Sequence, residues 1–102
     1  MDCTTQIEGT KHTLIFTGRF GFDAGQFFKI EVRNQLREDA LTELHLDLSG
    51  ITSMEPSALG LLLLLKEQAD VKGVKLVLKR PSEAVRLHFN RVRFDTIFEI
   101  QP

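Results

Sequence analysis

The sequence has no tryptophan, no tyrosine, one cysteine and only three prolines among its 102 residues. A lone thiol, Cys3, closes no internal disulfide, so a hydrophobic core must hold the chain together. Charge of one sign is also lacking, since 13 basic residues stand against 14 acidic ones for a formal net charge of −1. That balance argues against a basic nucleic-acid module and against capture by an anionic surface. The longest apolar stretch, Ala58 to Leu65, falls far short of the roughly 20 residues a membrane-spanning helix needs, so no membrane insertion is expected. Repeats and Pro/Ser-rich linkers are missing, and one domain over residues 1–102 is expected. The opening Met1-Asp2-Cys3-Thr4-Thr5 is polar where a secretory signal would be apolar, which sets a cytoplasmic location as the expectation.

Against these absences stand 42% hydrophobic residues and 8 phenylalanines, enough for one compact core. Thr13 to Phe16 form a β-prone run ending at Thr17-Gly18, and a weaker strand around Thr5 to Ile7 precedes it, the two turning near Gly9-Thr10. Asp23 stands three residues before Gln26, a capping-box-like start to a first helix whose Phe27, Ile30 and Leu36 recur at roughly helical spacing. Leu44, Leu46 and Leu48 alternate with His45 and Asp47 and stop at Ser49-Gly50, which reads as a strand followed by a turn. Pro56 suits the first position of a second helix, and Gly73 its end. Val74, Leu76 and Leu78 give another strand. Pro81-Ser82 starts a third helix running to about Val92, and Ile97-Phe98 a last short strand or turn. The order β-β-α-β-α-β-α-β predicts an α/β domain with a mixed sheet, antiparallel at its first hairpin and parallel later. Its core is expected to hold Leu14, Phe16, Leu46, Leu48, Leu62, Leu65, Leu76 and Leu78.

Five consecutive leucines, Leu61 to Leu65, advance about 100° each and point all round the second helix, whereas one sheet covers about half of it. With the apolar centre on Ala58, Leu61, Leu62, Leu65 and Ala69, Leu63 falls on the far side in line with Pro56, Gly60 and Glu67. Leu64 falls on the flank beside Ser57 and Gln68, where Gly60 leaves a shallow depression. Either neighbouring helices cover Leu63 and Leu64, or the two form a docking surface.

No other constellation carries chemistry. His12, His45 and His88 have no metal-ligand spacing among them or with Cys3. Cys3 sits near a chain end and is assigned no role. Ser57 lies between Pro56 and Ala58 rather than in a Gly-x-Ser-x-Gly elbow, so no catalytic activity and no cofactor are expected. Lys79, Arg80, Arg86, Arg91 and Arg93 concentrate positive charge without a Gly-rich phosphate loop, and read as a solvated face. Phe89, Phe94 and Phe98 read as packing for the third helix and the tail.

The segment from Leu46 to Gly60, Leu-Asp-Leu-Ser-Gly-Ile-Thr-Ser-Met-Glu-Pro-Ser-Ala-Leu-Gly, resembles the central signature of STAS domains, the anti-sigma factor antagonist family. That signature is a strand ending in Asp-Leu-Ser, a short turn, and Asp-Ser-Ser/Thr-Gly/Ala-Leu-Gly opening a leucine-rich helix. Gly18-Arg19-Phe20 followed by Asp23 matches the family's strand-to-helix corner. With the element order, the resemblance covers nearly the whole chain. It implies a mixed sheet with helices largely on one face. It also implies a partner switch in place of catalysis, in which the antagonist docks on an anti-sigma factor or serine kinase-like regulator and frees the sigma factor. Phosphorylation of a serine ends the docking and a phosphatase restores it.

The same resemblance places partner contact on Thr52, Ser53, Met54, Glu55, Pro56, Ser57 and Gly60, with Asp23 at the adjacent corner, and Leu63 and Leu64, picked out by helical phase, extend that surface along the helix. The chain departs from the pattern where phosphate is added. Aligned without gaps, Glu55 stands at the usual Asp, Pro56 at the phosphorylated serine and Ser57 at the following Ser/Thr. Pro56 has no hydroxyl. Ser57 is then the phosphorylation candidate, near the free N–H groups and positive end of the helix although Glu55 opposes it; otherwise the chain is a binder that is never switched. Other readings are an accessory subunit of an ABC-type lipid transporter, as stand-alone STAS proteins also serve, and a nucleotide-binding regulatory module. A monomer or a weak dimer through the helix ridge or the first strand is expected.

Overall fold

The computed structural model describes all residues, 1–102. Strands β1 (Asp2–Glu8) and β2 (Lys11–Phe20) form the opening hairpin, followed by helix α1 (Ala24–Leu36), β3 (Glu43–Met54), α2 (Ser57–Lys72), β4 (Lys75–Lys79), α3 (Glu83–Val92), a 3-10 turn (Phe94–Thr96) and β5 (Glu99–Gln101). The expected element order holds. The five strands lie in the order β1-β2-β3-β4-β5, with β1 and β2 antiparallel and every later pair parallel. Gly9, at φ +60°, takes the left-handed conformation that the tight hairpin turn requires. Each crossover steps the same way across the sheet, and right-handed connections then bring α1, α2 and α3 to one face.

On that face one cluster of 23 buried residues joins Leu14, Leu46 and Leu78 of the sheet to Val32, Leu62 and Val85 of the three helices. All eight residues expected in the core are buried. The aromatic tail packs as expected, with the rings of Phe89 and Phe94 at 5.1 Å and those of Phe94 and Phe98 at 5.0 Å. On the opposite face Thr13, His45, Val77 and Glu99 stand in one cross-strand row. Polar pairs lace this face: the His45 ring is hydrogen-bonded to Glu43 at 2.7 Å, and ion pairs join Lys75 to Glu99 at 3.1 Å and Arg80 to Asp47. The His45 hydrogen bond holds the Glu43 carboxyl below its usual range, and Glu99 raises the Lys75 ammonium.

Three local expectations fail for identifiable reasons. The stretch Ser49-Gly50 is not a turn: β3 runs on to Met54, with register shifts against β2 at Ile15/Thr17 and Gly18/Arg19. Gly50 serves close approach instead, because a Cβ there would meet the Phe16 carbonyl oxygen at 2.8 Å and Thr17 Cγ2 at 2.7 Å. The buried face of α1 is Phe28, Val32 and Leu36, four residues apart, so Phe27 and Ile30 are turned outward at 36% and 46% exposure. Ile97-Phe98, expected as a last short strand or turn, is the turn, and the last strand begins directly after it at Glu99. Cys3 is not at a loose end either: it pairs with Phe16 in β1 and packs against the core. Burial, aided by the nearby Glu31 carboxylate, pushes its thiol up to about 11, so the group is a neutral thiol at neutral pH.

Candidate functional site

In a parallel sheet the loops after the strand C-termini converge on one edge, and there the predicted residues gather. The end of β2 leads through Gly21–Asp23 into α1, and the end of β3 leads through Glu55 and Pro56 into α2. A backbone bond from Glu55 N–H to the Phe20 carbonyl, 2.9 Å, holds the two connections side by side. Asp23, Thr52, Ser53 and Glu55 line a single open depression of about 760 Å³. Ser57 lies in a smaller adjoining groove of about 220 Å³, shared with Gly25 and Lys29 of α1 and with Leu61.

Neither α1 nor α2 begins with a side-chain cap. Asp23 does not accept from the first-turn N–H groups as the capping-box spacing predicts. Its own backbone is helical, at φ −72° and ψ −24°, whereas an N-cap side chain reaches the second or third N–H from an extended backbone. The turn bond from Ala24 N–H to the Gly21 carbonyl, 3.1 Å, has already started the coil there. Pro56, at φ −56° and ψ −29°, sits one residue earlier than expected, just ahead of α2. The missing proline N–H loses nothing at that place, and turn bonds from Ala58 to Glu55 and from Leu59 to Pro56 close the first turn. Ser57 N–H has no backbone acceptor, so an unsatisfied donor and the positive helix end lie open beside its hydroxyl.

Along α2 the leucines divide. Ala58, Leu62, Leu65 and Ala69 are buried, and Leu61 packs partly against the core. Pro56, Gly60, Leu63 and Glu67 are exposed, as the ridge reading requires. Neighbouring helices do not cover the two leucines in question, since Leu63 keeps 41% and Leu64 40% of its surface in water. Leu64, on the line of Ser57 but two turns further along α2, lines a separate groove near the C-terminal ends of α1 and α2, with Gln68 and Val71. Met54 is no surface residue: it pairs with Phe20 and is 8% exposed in the core. The second register shift of β3 brings Met54 onto the helix-covered face and leaves Thr52 and Ser53 outside.

Sequence reasoning missed Arg19, Phe22 and Phe27 as lining of the larger depression and Lys29 as a neighbour of Ser57. Phe22, 86% exposed, is the clearest of them; an aromatic residue set between Gly21 and Asp23 in a turn was the available signal. Asp47, in the strand part of the signature, is 1% exposed and holds the opposite corner. It accepts from Arg80 Nε at 3.1 Å and from Arg80 Nη2, from Ser49 N–H at 3.0 Å and from Ser49 Oγ at 2.7 Å. Burial pushes the Asp47 carboxyl upward, but the bonds from Arg80 and Ser49 outweigh it and hold the group below the usual carboxylate range.

Comparison with known proteins bears on this arrangement. The family model described as Mlab, STAS domain, matches residues 3–101. The chain belongs to the STAS domain family. A STAS-domain containing protein of Pseudomonas aeruginosa is 33% identical over 95 residues, which is 91% of this chain and 90% of that one. Among solved structures, the unphosphorylated anti-sigma factor antagonist SpoIIAA superposes with a TM-score of 0.80 at 15% identity, covering 99% of this chain and 89% of SpoIIAA. An anti-sigma factor antagonist from Mycobacterium paratuberculosis gives 0.87 at 14% identity, over 99% and 85% of the two chains. SLC26A9 matches at 0.78 and 17% identity, over 95% of this chain but 19% of its own. At these identities the structures establish the shared STAS fold, with its five-stranded mixed sheet and three helices. No helix of the chain is long and apolar enough to cross a membrane.

Proposed function

We propose that this STAS domain is an anti-sigma factor antagonist that works by docking, not catalysis, and that it is held permanently in the docking-competent form. The surface comprises Thr52, Ser53, Glu55, Pro56 and Ser57 with Gly60 and Leu63 on α2, flanked by Asp23 across the depression. Its partner is an anti-sigma factor or a serine kinase-like regulator. The observation that carries the reading is Pro56, exposed at the start of α2, where the resemblance to the family would put the phosphorylated serine. Solved relatives include SpoIIAA in both an unphosphorylated and a phosphorylated form. The present chain has no hydroxyl at the corresponding residue, so control passes to its abundance or to its partner.

Ser57 is the remaining acceptor. Lys29 and the free Ser57 N–H would favour a phosphate there, while Glu55 opposes it. The test is capture by the immobilised chain from cells of its source, with the Leu63→Asp chain as control, followed by identification of the retained protein and intact-mass measurement of the chain after incubation with it and ATP. A kinase-like anti-sigma factor retained by the wild type alone, with the mass unchanged, is the expected result. A phosphate mapped to Ser57 overturns the permanently docking form. Retention of a transporter ATPase instead makes the chain an accessory transporter subunit and overturns the antagonist role.

A further inference from the structure

The C-terminal ends of α1 and α2 enclose a second groove, of about 540 Å³. It lies some 20 Å along α2 from Pro56, at 1.5 Å of rise per residue. Its floor and one wall are apolar: Leu36 is buried beneath it, while Leu64 and Val71 keep 40% and 84% of their surface in water. Leu64 and Val71 are seven residues apart, two turns of one helix face, so the exposure forms a stripe and not a scatter.

Three cations border the groove, Arg33 and Arg37 on the α1 bank and Lys72 on the α2 bank, against one carboxylate, Glu67. None of the three cations has a carboxylate within ion-pairing distance. Instead, neutral amides hold the arginines: Arg33 Nε donates to Gln68 Oε1 across the two helices at 3.1 Å, and Arg37 Nη1 donates to Asn34 Oδ1 at 3.3 Å. These acceptors are neutral and leave the guanidinium charges uncompensated.

We propose that this groove docks an acidic amphipathic helix of a protein partner. Two apolar residues of that helix, two turns apart, seat against Leu64 and Val71, and its flanking carboxylates meet Arg33, Arg37 and Lys72. A concave, two-banked site with a matched pair of apolar positions suits a helix. Recruitment to an anionic bilayer draws on clusters of about four to eight cations, and Glu67 lowers the count here to a net of about two. The inference goes beyond the antagonist reading and stands without it.

A synthetic acidic helical peptide of about 14 residues, with leucines seven apart and a single tryptophan, serves as probe. The chain itself contains no tryptophan, so the emission reports the peptide alone. Saturable binding to the full chain is expected, weaker in high salt. Arg37→Glu and Val71→Asp should each weaken it at least about tenfold with unchanged thermal melting, since both residues are exposed. Leu87→Asp, exposed on α3 and outside the groove, should leave it unchanged. Equal binding of a lysine-for-glutamate peptide overturns the proposal, as does no binding at millimolar peptide or undiminished binding by both groove variants. Retention on phosphatidylglycerol vesicles that the groove substitutions abolish, with no binding of the peptide, overturns it in favour of a membrane surface.

Discussion

Two stretches of the same sheet edge are built in opposite ways. At the β4–α3 corner, Arg80 donates to Asp47, Arg80 N–H bonds the Gln101 carbonyl at 2.7 Å, Ser82 N–H bonds the Leu48 carbonyl at 3.3 Å, and Ser82 Oγ donates to the Ile51 carbonyl at 2.7 Å. Ser82 Oγ also accepts from Val85 N–H, which caps α3. At the neighbouring corners, α1 and α2 start without caps, and Asp23, Glu55, Pro56 and Ser57 are all exposed. The first corner spends its polar groups on itself, and its Arg80 holds a positive φ of 48° under those bonds. The second leaves donors, carboxylates and Phe22 free for a partner. A polar side chain near a helix start is therefore structural or available according to whether its bonds close within the chain.

Substitution at the open corner should act on binding and leave folding alone. Leu63→Asp places a carboxylate on the ridge, and partner affinity measured by calorimetry should fall at least about 100-fold, about 3 kcal/mol, with a change in stability within about 0.5 kcal/mol. An unchanged affinity would separate the ridge from the interface. Pro56→Ser should restore the missing hydroxyl without disturbing α2, whose first turn does not use the residue's N–H. Incubation with the kinase partner should then add one phosphate, mapped to residue 56, and the modified chain should lose its partner.

At the closed corner the effects should reverse. Asp47→Asn removes the charge from a buried acceptor of four bonds, and should cost about 2 kcal/mol in denaturant unfolding at neutral pH while partner affinity holds. The half-exposed Arg80 end is screened by water, which keeps the figure below the 3–5 kcal/mol of a fully buried broken pair. The Asp47 carboxyl titrates below its unfolded value. Its contribution is therefore present above the unfolded pKa of about 3.9 and is lost as pH falls through the folded one. Wild type and Asp47→Asn should converge in stability on acidification, and a gap that persists in strong acid would assign the effect to packing.

Periodicity made most of this fold readable, because alternation at Leu44, Leu46 and Leu48 and the Gly9 and Gly73 stops are local signals with one cheap solution each. The failures share a cause in tertiary pairing. β2 extends to Phe20 and carries β3 through Ser49-Gly50, a sequence that alone favours a turn, and the accompanying bulges decide that Met54 is inside while Thr52 and Ser53 are outside. The position of the site was legible from the signature around Pro56, and the exposure of Leu63 from helical phase. Its lining by Phe22, Phe27 and Lys29 depends on how α1 packs beside α2 and β2, which no local pattern encodes.

The smallest effects give the sharpest test of the two corners, because two residues of the N-capping type should respond differently. Ser82→Ala removes a cap and leaves the carbonyl of buried Ile51 without its donor, and should cost about 1.5 kcal/mol. Asp23→Ala, at a position whose spacing to Gln26 looks equally like a cap, should change stability by less than about 0.5 kcal/mol, since its carboxylate makes no capping bond. Its effect should instead appear in partner binding, through the depression it shares with Thr52, Ser53 and Glu55. Chemical denaturation and calorimetry on the two variants side by side check both halves. A loss of about 1 kcal/mol or more in Asp23→Ala would mean that the carboxylate closes on the first turn of α1 in solution, and the open corner would then be open at α2 alone.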